Sequence, residues 1–260
     1  MKGVLYVSHG TRLKQGVKEA HNLIDKVKQH IPIPFQETCF LEITSPNIEN
    51  GFKRLIHKGV NHVIVIPVLL LSAGHFYHDI PKVIHQLKKR FAHITITLGR
   101  PLGVQYRLVE ILKERIEAIS VSNPERAQFI LVGRGSNYEE TKQDMNEIKS
   151  MLKSLMGMSN VNVCYLAATE PKFEHILKQA IHEKHQEIIV IPYLWFSGLL
   201  THYIHKTLHD TGYKGTLKRC HHLGDHPNMI DALRDRVLET IQKAEKEKQS
   251  RKDKHHVIVT

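Results

Sequence analysis

Three residues in the first third of the chain carry the chemistry of a metal site. His9 stands in VSHGTR, Glu42 in CFLEITSP and His75 in LLLSAGHFYHDIP, each where an apolar run gives way to glycine or polar residues. A neutral imidazole is a good ligand for divalent iron, cobalt, nickel or zinc. Two such rings with open positions hold an ion without enclosing it, and a carboxylate beside them accepts protons or balances charge. Each residue also has a plainer reading. The chain has 20 histidines, a single His at a strand end is commonly a hydrogen-bonded structural residue, and Glu42 could cap the helix that follows it.

The elements that must position these residues alternate. KGVLYVS reads as a first strand, and Leu13 to Ile31 is amphipathic, with Val17, Ala20, Leu23, Ile24 and Val27 at helical spacing. FQETCFLEI is a second strand, and Pro46 is expected to open a helix carrying Ile48, Phe52 and Leu55. HVIVIPVLLL is nearly all apolar, as a central strand covered on both faces would be. Pro81 to Phe91 reads as helix, ITITLG as a fourth strand and Gln105 to Ile119 as another helix. This alternation predicts an α/β fold with parallel sheets flanked by helices. Ligands bind outside the carboxyl ends of such strands, which is where His9, Glu42 and His75 fall.

The pattern then restarts. FILVGRGSN answers LYVSHGTR, CYLAATEPKF answers CFLEITSPNI, and IIVIPYLWFSG answers VIVIPVLLLSA. Gly10 and Gly135, Cys39 and Cys164, Pro46 and Pro171, and Pro67 and Pro192 are all 125 residues apart, so the chain reads as an internal duplication. The polar, Pro-containing stretch Ile119 to Ala127 is the expected link. The expected organisation is a domain over 1–121 that carries the active site, a similar domain over 122–245 whose site is degenerate, and a basic tail over 246–260. The duplication also separates folding from chemistry. Gly10, Pro67 and Ser72 recur as Gly135, Pro192 and Ser197, while His9, Glu42 and His75 become Arg134, Ala167 and Leu200. A frame kept while all three candidates are lost together favours a functional role for them.

Other clusters are weaker. His202, His205 and His209 share a helical face, and His221, His222 and His226 follow, but such spacing arises easily and no paired carboxylate accompanies it. His78 reads as a residue lining the cleft. Arg134 and Ser136 in GRGS stand at a strand-to-helix turn, where a guanidinium and backbone N–H groups would suit a carboxylate or phosphate; the plainer reading is a helix cap. No Walker A or GxGxxG sequence is present, and Ser8 lacks the GxSxG elbow. Cys39, Cys164 and Cys220 have no CxxC spacing and read as free thiols in a reducing cytoplasm. No apolar run approaches the ~20 residues that span a bilayer, and MKGVLYVSHG is too short and strand-like for a signal peptide, so a cytoplasmic location is expected. The net charge of +11 lies partly in Lys243 to His256 and is otherwise spread over the body. It attracts polyanions, yet no nucleic-acid motif accompanies it, and neither nucleic acid nor membrane is expected as a partner.

Taken in order on this duplicated frame, LYVSHGTR, CFLEITSP, LLLSAGHFYHDIP, LVGRGSN and VIPYLWFSGLL resemble the class II chelatases. Within these, the likeness is to the long, two-domain sirohydrochlorin ferrochelatases and their cobalt-inserting relatives, and it covers most of the chain. It implies two chelatase-like α/β lobes around a central cleft. It also implies insertion of a divalent metal into sirohydrochlorin, with release of the pyrrole protons, as the last step of sirohaem formation. His9 and His75 match the metal-binding positions, with His9 also the usual proton acceptor, and Glu42 matches an acidic catalytic position. Ser45, Leu70, Leu71, Ser72, Ala73 and Gly74 match the stretch bordering the tetrapyrrole, and Arg134 and Ser136 are further candidate substrate-binding residues. No permanently bound cofactor is implied. The metal, iron with cobalt or nickel as alternatives, is a substrate, and the other substrate is a polycarboxylate that suits the basic charge. A monomer is expected. The cobalt-specific long relatives often carry a His-rich stretch and a cysteine-ligated cluster near the C-terminus. This tail has only His255 and His256 and no cysteine cluster, which favours iron. The alternatives are a cobaltochelatase and a carrier that binds tetrapyrrole or metal without transforming it.

Overall fold

Two four-stranded parallel sheets form the frame of the protein, seen in a computed structural model that describes the backbone of residues 1–258 and the side chains of residues 1–249. The first contains β1 (Lys2–Ser8), β2 (Gln36–Phe40), β3 (His62–Val68) and β4 (Thr95–Leu98) in the order β2-β1-β3-β4. The second contains β5 (Gln128–Gly133), β6 (Val161–Tyr165), β7 (Glu187–Pro192) and β8 (Thr216–Arg219) in the order β6-β5-β7-β8. The same strand order in both halves is the structural form of the 125-residue repeat. Eight helices connect and cover the strands: α1 (Lys14–Lys28), α2 (Ile48–His57), α3 (Ile80–Arg90), α4 (Tyr106–Glu117), α5 (Glu139–Met156), α6 (Phe173–His182), α7 (Leu199–His209) and α8 (Pro227–Ile258). None of these, over the described residues, is long and apolar enough to cross a membrane.

Side chains alternate across the sheets as the two-residue period of a strand requires. Leu5, Val7, Val63 and Val65 face outward and pack with Phe52 and Leu55 of α2 and Ile84 and Leu87 of α3. Val4, Tyr6, Ile64 and Ile66 face inward to a larger core shared with Phe129, Leu131, Ile189 and Ile191 of the second sheet. β3 is buried along its whole length, which explains its lack of polar alternation. Its pairing with β4 stops at Val65–Leu98, so Pro67 lies beyond that ladder.

The helices between the sheets are exchanged. α8, the last element of the second half, packs on β3, β4 and α1, whereas α4 of the first half packs on α5 and β7. Specific bonds hold the exchange: Arg236 donates to the carbonyls of Pro101 and Leu102 at 2.8 and 2.6 Å, and Arg107 pairs with Asp235 at 2.8 Å. Gly99 is needed at this contact, because a β-carbon there would come within 2.6 Å of the Thr240 hydroxyl. The segment expected as a tail continues α8. Glu245 pairs with Lys2 and Glu247 accepts from Thr97, while the side chains of the basic residues beyond 249 lie outside the described residues.

Two local expectations are corrected. Pro46 does not open α2; Asn47 is the N-cap, its side chain accepting from the Asn50 N–H at 2.9 Å, and the Pro46 carbonyl is used by the Phe40 N–H. Before α3 the chain makes a π-helical turn over His75–Asp79, so the helical segment starts six residues ahead of Pro81.

Candidate functional site

β1 ends level with both of its neighbours: Ser8 is in register with Phe40 of β2 and Val68 of β3. β1 connects to β2 on one side and β2 then crosses over to β3 on the other side of β1, so the carboxyl ends of β1 and β3 form the switch point where α/β sheets bind ligands. His9 follows β1, His75 follows β3 through the π-helical turn, and Glu42 follows β2. The His9 and His75 rings meet edge to face, their centroids 4.5 Å apart. Among the described residues, His9, Glu42 and His75 form the only cluster of three or more possible ligands, with one atom from each lying within 4.8 Å of the others.

The loops that carry His9 and Glu42 interlock. The Glu42 N–H donates to the His9 carbonyl at 3.1 Å. Gly10 has φ +93° and sits so close to the Glu42 carbonyl that any β-carbon would overlap it. The second half repeats the device, with Ala167 N–H donating to Arg134 and Gly135 (φ +88°) against the Ala167 carbonyl. The glycines thus belong to the frame shared by both halves, whereas His9 and Glu42 are replaced by Arg134 and Ala167 in the second.

Both histidines have one nitrogen engaged and one left over. His9 Nδ1 lies 3.0 Å from the Gly10 carbonyl, which can only accept, so Nδ1 carries the proton. Nε2 then bears a lone pair; it is buried, has no hydrogen-bond partner and lies 3.3 Å from Glu42 Oε1. Two lone-pair atoms at that separation are suited to a cation or proton between them. Burial holds the His9 pKa below its usual value; the Gly10 carbonyl and Glu42 oppose this, while His75 and Arg134 add to it. Neutral His9 is the form that can bind a metal. His75 Nδ1 is bonded to Asp79 Oδ2 at 2.7 Å, one helical turn on, which leaves its Nε2 available as a ligand. This carboxylate–imidazole arrangement is the one that orients metal-binding histidines.

The cluster opens on a cleft of about 440 Å³ between the two sheets. Its walls include Ile43, Leu70, Leu71 and Ala73 from the first half and Leu194, Trp195, Phe196 and Leu200 from the second. Arg12, Arg134 and Ser136 add polar groups to that lining. Neither arginine has a hydrogen bond or ion pair among the described residues, so both charges are available to an anion. Ser136 accepts from the Tyr138 N–H at 3.2 Å; Tyr138 is itself the N-cap residue of α5, which has no side-chain cap, so Ser136 closes a turn ahead of the helix and is not its cap. Ser45, Ser72 and Gly74, like Glu42, are beside the lining residues and not among them: Ser45 is exposed, the Ser72 carbonyl accepts from Thr141, and Gly74 precedes the π-helical turn with ordinary helical angles. His78 is also outside, against Tyr138.

The other histidines have structural surroundings. His202, His205 and His209 are exposed on α7. His226 pairs with Glu114 and accepts from the Asn228 N–H. His221 donates to the carbonyl of His222, and buried His222 faces Glu19 across 3.5 Å. Glu19 in turn accepts from the backbone and hydroxyl of Ser197 at 2.7 and 2.8 Å, tying α1 to the second-half wall of the cleft. Sequence reasoning missed Asp79, Arg12, Glu19 and Ile43. Only Asp79 had a local signal, its i,i+4 spacing from His75 in HFYHD.

Comparison with known proteins agrees with this geometry. A family model described as CbiX matches residues 3–119 and again residues 128–240. A sirohydrochlorin ferrochelatase of Priestia megaterium is 40% identical over 208 residues, which cover 80% of this chain and 78% of the relative. The structure of SirB from Bacillus subtilis with Fe3+ has a TM-score of 0.84 and 32% identity, covering 94% of this chain and 97% of that one. The sirohydrochlorin chelatase SirB from Bacillus subtilis subspecies spizizenii, in complex with cobalt, has a TM-score of 0.80 and 31% identity over the same shares of the two chains. The two family matches fall on the two halves of the duplication and together span most of the sequence: the chain belongs to the CbiX family, the class II chelatases that its motifs resemble.

Proposed function

We propose that this protein is a sirohydrochlorin ferrochelatase, inserting ferrous iron into sirohydrochlorin to complete sirohaem. The observation that carries the reading is the pair of histidine Nε2 positions, each set by a bond at its own Nδ1, beside Glu42 on an apolar cleft. A flat macrocycle suits apolar walls, and its acidic side chains suit the cleft arginines Arg12 and Arg134. His9 and His75 hold the hydrated metal ion at one face of the ring, where pyrrole nitrogens replace its remaining water. Metal-bound His9 is a poor base, so Glu42, exposed and 3.3 Å away, is placed to take the pyrrole protons and pass them to solvent. No redox change is needed: the divalent ion replaces the two pyrrole protons.

On this reading 1–121 supplies the metal chemistry, 122–245 supplies the opposite wall, and the chain works as a monomer. Iron is favoured over cobalt by the lack of a cysteine cluster in the C-terminal sequence. Three buried cysteines without disulfides suit a reducing cytoplasm. The test is turnover: catalytic amounts of protein are mixed anaerobically with excess sirohydrochlorin and ferrous iron, and the absorption spectrum is followed. Many equivalents of product per protein are expected. Uptake that stops at one equivalent would mean a carrier instead.

A further inference from the structure

Ile43 is out of place by every folding criterion. It has φ +66°, a region that a β-branched side chain rarely enters, and its residue surface is 61% exposed. The conformation follows from a three-residue turn in which the Thr44 N–H donates to the Glu42 carbonyl at 2.6 Å, the strained γ-turn with positive φ. The second half makes the same turn, from Thr169 N–H to the Ala167 carbonyl at 2.7 Å, with Ala168 at φ +59° in the central position. The turn is therefore part of the duplicated frame, and it needs no large side chain. Where the site is degenerate it holds alanine; beside His9 and Glu42 it holds an exposed isoleucine that lines the cleft.

We infer that Ile43 is a substrate-contact residue, an apolar platform on which the tetrapyrrole ring packs next to the metal-binding cluster, retained at the expense of stability. This rests on the chelatase reading. Bound macrocycle would cover apolar surface that folding leaves in water, and the turn would fix that surface beside Glu42 without help from the core. A strained turn common to both halves that carries a large exposed apolar side chain only beside the metal-binding cluster is the expected mark of such a residue.

The test compares the wild type with Ile43→Gly, Ile43→Leu and Ala168→Gly in the full chain. Thermal melting, sirohydrochlorin binding by fluorescence quenching and cobalt binding by absorption are measured for each. Glycine relieves the backbone at either position, so both glycine variants are expected to melt about 2–4 °C higher. Ile43→Gly is expected to bind sirohydrochlorin roughly 10-fold more weakly from the lost apolar contact, with cobalt affinity kept. Ile43→Leu is expected to recover most of the lost affinity, and Ala168→Gly to leave it untouched. Wild-type binding with equally tight binding by Ile43→Gly would overturn the inference alone. A wild type that does not bind sirohydrochlorin would overturn the functional reading and this inference with it.

Discussion

Asp79 separates the role of a residue in folding from its role in the site. Its carboxylate accepts from His75 Nδ1 at 2.7 Å, while its side chain is 51% exposed and that of His75 20% exposed. A pair so open to solvent contributes under about 1 kcal/mol to stability. In Asp79→Ala the melting temperature should therefore move by no more than about 2–4 °C. The effect on the site should be larger. Without the carboxylate, His75 can rotate and exchange tautomers, so its Nε2 no longer points at the ion position in one protonation form. Loss of such a supporting group costs about 10–100-fold in metal affinity or activity, equivalent to about 1.4–2.7 kcal/mol. Asp79→Asn keeps an acceptor but not the charge and should fall between wild type and alanine. Cobalt titration followed by visible absorption reads the affinity, and metal insertion under saturating tetrapyrrole reads the rate. If Asp79→Ala binds cobalt and inserts iron within about threefold of wild type, His75 is not oriented by Asp79 and the proposed ligand geometry is wrong.

Two further outcomes follow from charge and burial. Arg134→Ala should raise the sirohydrochlorin KM about tenfold with kcat nearly kept, and should flatten the dependence of KM on salt; an unchanged KM and salt profile would remove Arg134 from substrate binding. His222 is 5% exposed, and burial, with neighbouring His221, pushes its pKa down to about 4 against opposition from Glu19. A depressed histidine binds its proton more weakly folded than unfolded, so its contribution is present above the unfolded value of about 6.5 and is lost as pH falls toward 4, by about 3 kcal/mol in all. Urea unfolding from pH 7 to pH 4 should show this excess loss in wild type relative to His222→Asn; parallel curves would contradict it.

The strands, their duplication and the convergence of His9, Glu42 and His75 were legible because they follow from local patterns. Apolar runs mark strands, a restart at a fixed offset marks duplication, and parallel strands in register bring their ends level. The exchange of α4 and α8 was not legible, since an amphipathic helix records that it has a buried face and not which sheet covers it. Ser45, Ser72 and Gly74 were placed by the family stretch; the cleft lining takes their neighbours Leu71, Ala73 and His75, a distinction that residue type does not record. Ile43 was missed because an apolar residue after a strand reads as its continuation, and nothing in its type reveals a positive φ. Glu19 and Ser197 are 178 residues apart, and only the closed cleft makes them partners.

The central claim, that His9 and His75 together hold the metal during insertion, is tested most directly by measuring ferrous iron insertion into sirohydrochlorin by wild type, His9→Ala and His75→Ala, with folding checked by circular dichroism. The expected result is folded variants with rates at least about 100-fold lower and cobalt binding weakened in parallel. A folded His9→Ala that inserts iron at the wild-type rate would contradict the mechanism.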